Sequence, residues 1–175
     1  MEIIKKFNAK EKVIIFFETS FTAGLYINEY IKGNEIFLLK EFIDDYKGTM
    51  LGNYEFKEFI KELKIYNRRA KNKLDFIGID LEYQINVTKK IKKYFTQINN
   101  KEVLEKIKTN EKNTKKISTL EENLYEKKRE KLLIENFEKE SERYKKQNFL
   151  IFMGAWHVTE DHKEKNFAKE IRNSN

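Results

Sequence analysis

The 175-residue chain contains no cysteine. That excludes a disulfide framework, a thiolate zinc site and a cysteine nucleophile. It contains no proline either, where ordinary usage of ~5% would give roughly nine. No run approaches the ~18 consecutive apolar residues of a membrane-spanning helix, so no membrane partner is expected. The opening stretch MEIIKKFNAKEKVIIFFE is not a signal peptide, because its apolar run is short, ends on Glu18 and lacks a small-residue cleavage site. The cytoplasm is the simplest location.

What remains is basic and rich in aromatics. Lys and Arg number 36 against 29 Asp and Glu, a formal net charge of +7. Hydrophobic residues make up 39% and aromatics 14%, with 14 Phe and 9 Tyr, which is enough to build a core and rules out wholesale disorder. The length fits one domain over residues 1–175.

Three short apolar runs stand out: Val13 to Phe17, Leu74 to Ile79 and Phe149 to Met153. The first and third do not alternate, which predicts strands buried on both faces, as in a parallel sheet. Helical patterns lie between them. Thr19 or Ser20 can cap a helix running to about Lys32, with Gly33 as its stop. Phe37, Leu38, Phe42 and Ile43 make a second short stripe. Phe56, Phe59, Ile60, Leu63 and Tyr66 predict a helix over 53–70. Residues 85–109 give one or two weaker helices, and 119–146 the longest pattern. The expectation is an α/β fold with a mainly parallel sheet of three or more strands flanked by helices. Three strands are few for such a sheet, which suggests a fragment of a larger domain with a free edge open to self-association.

Ligands of open parallel sheets bind beyond the carboxyl ends of the strands. Here the first run leads into Glu18, the second into Asp80 and Glu82, and the third through Gly154 to Trp156 and His157. If the strands are parallel and adjacent, carboxylates and an imidazole share one rim, a set suited to general acid/base work or to a divalent metal. The rim calls for no cofactor, though a divalent metal stays open. The blander alternatives are a solvated Glu18, Asp80 and Glu82 as helix caps, and His157 as a structural histidine. His162 lies among charges, and its five-residue spacing from His157 is not a specific metal signature.

Stepping by four along the long helix gives Tyr125, Arg129, Leu133 and Phe137. Arg129 therefore lies on the apolar stripe, inside an EKKREK segment that otherwise faces water. An inward arginine seeks a protein carboxylate or a substrate oxyanion, unless its stem covers the core while its head reaches solvent. Asn136 lies nearly on the same face.

Residues 85–120 hold ten Lys and three Glu, an excess of seven that equals the charge of the whole chain. Within them, 108–118 (KTNEKNTKKIS) reads as a flexible Lys-rich loop. The segment has no arginine and few aromatics to stack on bases, so a solvated face is favoured over nucleic-acid binding.

These residues together resemble the erythromycin esterase-like family, within the wider superfamily of TraB-like, TIKI-like and ChaN-like proteins. FFETSFTAGLYINEYIKGNE is similar to a family block through Glu18, Ser20, Asn28, Tyr30, Gly33 and Asn34. YNRRAKNKLDFIGIDLEYQ is similar to the next through Tyr66, Asn67, Gly78 and Asp80. REKLLIENF matches through Arg129, Leu133 and Asn136, and FLIFMGAWHV through Gly154 and His157. The blocks occur in the family's order and span most of 13–158. The family opens with a strand carrying Gly-Glu-x-x-His, and MEIIKKFNAKEK has no such motif, so the resemblance implies a truncated or split member, active or degenerate.

The resemblance further implies ester or amide hydrolysis by an activated water on a small ester-like substrate. Glu18 would orient or polarise the water. His157 would be a second acid/base or an oxyanion donor, and Arg129 would hold a carboxylate or stabilise developing negative charge. Asp80, Glu82, Asn136 and Trp156 are the candidate substrate contacts. The alternative is a non-catalytic binding module on the same fold.

Overall fold

A computed structural model describes residues 1–158 and 167–173. The three apolar runs are strands: β1 (Val13–Ser20), β2 (Asp75–Asp80) and β3 (Asn148–Phe152). β1 lies between the other two and pairs parallel with both. Phe17 faces Gly78 on one side and Phe152 on the other, so the three carboxyl ends line up. The fold is α/β, as expected.

Non-alternating apolar sequence in β1 means that both faces are covered. Val13, Ile15 and Phe17 enter the larger core, built with α2 (Phe21–Lys32), α3 (Leu39–Asp45), α4 (Tyr54–Arg69) and α5 (Ile85–Gln97). Ile14 and Phe16 enter a smaller core with Leu133, Phe137 and Phe167. Those residues come from α7 (Glu122–Ser141) and α9 (Phe167–Asn173).

The local signals act as their chemistry requires. Ser20 Oγ accepts the Ala23 N–H at 3.2 Å and starts α2. Gly33 ends it in the left-handed conformation, with φ 94°. Asn53 caps α4 by accepting the Phe56 N–H at 2.8 Å. α2 lies unusually close to β2, because a Cβ on Gly24 would fall 2.0 Å from the Gly78 nitrogen. Neither position admits a larger side chain without moving backbone.

Two elements differ from the sequence reading. Glu2–Asn8 forms a short helix, α1, whose single turn or two is too short to leave a readable period. Its last residue, Asn8, accepts the Val13 N–H at 2.8 Å and so fixes the start of β1. Residues 108–118, expected as a flexible loop, fall almost wholly within a 17-residue helix, α6 (Lys101–Ile117). Its inner face runs Ile107, Asn110, Thr114, Ile117, a spacing of three, four and three. Two of those four are polar, which hid the stripe. Asn110 Oδ1 accepts from Asn136 Nδ2 at 3.3 Å and Thr114 Oγ1 accepts the Glu82 N–H at 3.0 Å, so both are used inside the fold.

Among the described residues no helix is long and apolar enough to cross a membrane.

Candidate active site

β1 carries an irregularity at its carboxyl end. Between Phe17 and Ser20 it advances three residues while β2 advances two, from Gly78 to Asp80. A bulge of this kind re-aims a side chain. Here the residues inside it are Glu18 and Thr19, and the Glu18 carboxylate reaches across the top of β3. Glu18 Oε2 accepts the Gly154 N–H at 2.6 Å. A Cβ at Gly154 would sit 3.2 Å from that oxygen, so glycine permits the approach.

Glu18 Oε1 takes two cationic partners. Arg129 Nη2 donates to it at 2.9 Å, and His157 Nε2 lies 3.1 Å away. Burial alone would raise the Glu18 pKa. The bond to His157, the Gly154 N–H, the charge of His157 and the bond from Arg129 outweigh that and bring it down to about 2.

His157 sits in the one-turn helix α8 (Ala155–Val158) and is 4% exposed. Its other ring nitrogen, Nδ1, lies 2.5 Å from Glu130 Oε2. With a carboxylate facing each nitrogen, both nitrogens are donors and the ring is an imidazolium. Burial works against that charge, but Glu130 and then Glu18 more than compensate, and the His157 pKa is pushed up to about 9.

Arg129 turns inward, one of the two outcomes its place on the helix left open, and the anion it meets is Asp80. Nε donates to Oδ1 at 3.1 Å and Nη2 to Oδ2 at 2.6 Å, a two-point clamp. Asp80 also accepts the Leu81 N–H at 2.8 Å and the Tyr83 hydroxyl at 3.3 Å. The groups thus form one line of alternating sign: Glu130, His157, Glu18, Arg129, Asp80.

A model of the erythromycin esterase family matches residues 10–170. The chain belongs to that family. Neither the curated proteins nor the solved structures searched gave a match. The family match spans every described member of the charged line, which joins residues more than a hundred positions apart in sequence.

Other residues singled out in this erythromycin esterase family chain lie elsewhere. Glu82 turns to the start of α2, accepting the Thr22 N–H at 3.1 Å and bonding the hydroxyls of Thr22 and Thr88. It caps a helix that precedes it in sequence rather than the one that follows. Burial is the main cause that pushes its pKa up to about 7. Asn136 Nδ2 donates to the Ile79 carbonyl at 2.9 Å, which ties α7 to the end of β2. The Trp156 backbone is in α8, but its side chain, like the whole of His162, lies outside the described residues. Among the described residues no group of three or more His, Asp and Glu is arranged to hold a metal ion.

Glu130 was missed. The EKKREK segment reads as water-facing apart from Arg129, yet Glu130 is only 5% exposed. The buried positions of α7 are Glu130, Leu133, Phe137 and Glu140, again spaced three, four and three. That spacing is the signal that could have found it. Arg129 sits on the flank of this stripe, while Glu130 lies on it. Its Oε1 accepts the Phe167 N–H at 2.6 Å, so one carboxylate holds both His157 and the start of α9.

Proposed function

We propose that the chain is a hydrolase that cleaves ester bonds with a water activated at the strand-end rim. The observation that supports this most directly is the contact of His157 Nε2 with Glu18 Oε1 at the mouth of β1. Glu18 accepts a hydrogen bond from the attacking water and takes its proton as the oxygen bonds to the substrate carbonyl carbon. The His157 Nε2–H stabilises the developing oxyanion and then protonates the departing alcohol oxygen as the carbon–oxygen bond breaks. Return of the proton from Glu18 to His157 restores the site, and the products are an acid and an alcohol. Asp80 and Arg129 act as positioning residues for Glu18, and Glu130 for His157. An amide follows the same course with an amine leaving.

One observation favours a second reading, a non-catalytic module on the same fold. A carboxylate held at about 2 is a weak base in the resting protein. Hydrolysis of a panel of para-nitrophenyl esters and macrolide lactones separates the two. Turnover that falls at least tenfold (roughly 1.4 kcal/mol of barrier) in His157→Ala is the expected result. Turnover no higher than that variant's would sink the hydrolase reading.

A further inference from the structure

A second hollow lies behind the rim, between the β2–α5 connection and α6. It has a volume of about 370 Å³, within the range of small-molecule pockets, roughly 300–1,000 Å³. None of the roles above uses it.

Its charge is unbalanced. Lys89, Lys92 and Lys115 line it together with Glu82 and Glu111, and Glu82 is spent on Thr22 and Thr88. Lys92 is spent on Glu111, at 2.9 Å. Lys89 and Lys115 have no carboxylate partner among the described residues. Lys89 and Lys115 therefore border the hollow without a salt-bridge partner, unlike Lys90, Lys106 and Lys108, which pair with Glu41, Glu140 and Glu105. Its mouth is apolar. Ile85 and Tyr83, both lining it, are 68% and 48% exposed, large apolar surfaces left in water. Exposed apolar area beside a concave charged wall is the pattern of a binding site rather than of a solvated face.

We infer that this hollow binds a small organic anion, a carboxylate or phosphate carried on an aryl or alkyl body. Lys89 and Lys115 hold the anionic group as point charges, and Tyr83 and Ile85 cover the apolar part. Tyr83 forms a wall common to both sites, because its hydroxyl reaches Asp80 Oδ1 at 3.3 Å while its ring lines the hollow. Binding here goes beyond the hydrolase reading and does not depend on turnover.

Calorimetric titration with phenyl phosphate, phenylacetate and uncharged benzyl alcohol tests the assignment. Saturable binding of either anion, and weaker binding of benzyl alcohol, is expected; comparison of the two anions tells phosphate from carboxylate. Lys89→Gln/Lys115→Gln, both at exposed positions, keeps the fold by circular dichroism and weakens the anion by about tenfold or more. His157→Ala, which lowers turnover in the proposed reaction, leaves anion binding in place. No saturable binding of either anion, equal binding of benzyl alcohol, or undiminished affinity in the double variant would overturn the inference.

Discussion

Glu130→Gln removes the charge that faces His157 while leaving a side-chain carbonyl to accept the Phe167 N–H. The carboxamide then presents an N–H₂ to Nδ1, which favours the lone pair there and hence the neutral ring. In the native protein His157 is held at about 9 against an ordinary 6.5, and the hydrogen bond to Glu130 is the largest single cause that raises it. At ~1.4 kcal/mol per unit, that difference is worth roughly 3 kcal/mol, shared with Glu18. The sign follows from the direction. A proton bound more tightly in the folded state stabilises it fully below about 6.5, and the gain is lost as pH rises through about 9. Native stability should therefore fall by about 3 kcal/mol across that window, and Glu130→Gln should flatten the fall. Imidazole proton NMR on the native chain, with His162→Gln to assign the signals, measures the titration. Urea denaturation at the two ends of the window measures the stability. In Glu130→Gln the His157 titration should drop below about 7. A native His157 that titrates near 6.5, or a variant that moves by less than about half a unit, would refute the reasoning.

Arg129→Met should leave Asp80 and Glu18 facing each other without their shared cation, at a cost of about 3–5 kcal/mol in urea denaturation. Arg129→Lys keeps the charge but loses the two-point clamp on Asp80, and its stability should fall between the other two; a lysine variant as stable as the native protein contradicts the clamp. Glu82 is raised to about 7, so the stability it brings is full below about 4.5 and lost as pH rises through about 7. Glu82→Gln keeps an acceptor for the Thr22 N–H without the buried charge. It should gain about 1–3 kcal/mol over the native chain at alkaline pH and little in acid, and a pH-independent difference would count against it.

Most of the architecture was legible because it rests on features the sequence writes locally. Runs of β-branched and aromatic residues gave three strands, two of them to within a residue and β1 three residues short at its end. Ser20 and Gly33 marked the ends of α2 through a side chain and a backbone freedom that act within a turn. The rim was legible for a topological reason: parallel pairing of β1 with both neighbours brings Glu18, Asp80 and the turn before His157 to one side, whatever the details of packing. What escaped was polar burial. Asn110, Thr114 and Glu130 each occupy an inward helix position where a hydrophobicity pattern expects an apolar residue. Each is tolerated because a partner from a distant segment meets it: Asn136, the Glu82 N–H and His157. Such partners are set by the fold, and no local window contains them. Glu82 shows the same limit in reverse, since the N–H it caps belongs to Thr22, 60 residues earlier.

The alternating line also bears on how Glu18 could serve as a base. Its carboxylate lies low because His157 and Arg129 both bond one oxygen and the Gly154 N–H bonds the other. In the proposed reaction the His157 Nε2–H turns to the substrate oxygen, and the contact with Glu18 is the one it gives up. Losing the strongest of the groups that lower it, Glu18 rises towards an ordinary carboxylate just as a water beside it begins to shed a proton. Arg129 stays clamped to Asp80 and keeps Glu18 in place during the exchange. The same bond that makes the resting carboxylate a poor base thus couples its activation to the arrival of a carbonyl oxygen at His157. Without substrate, the pair stays closed on itself.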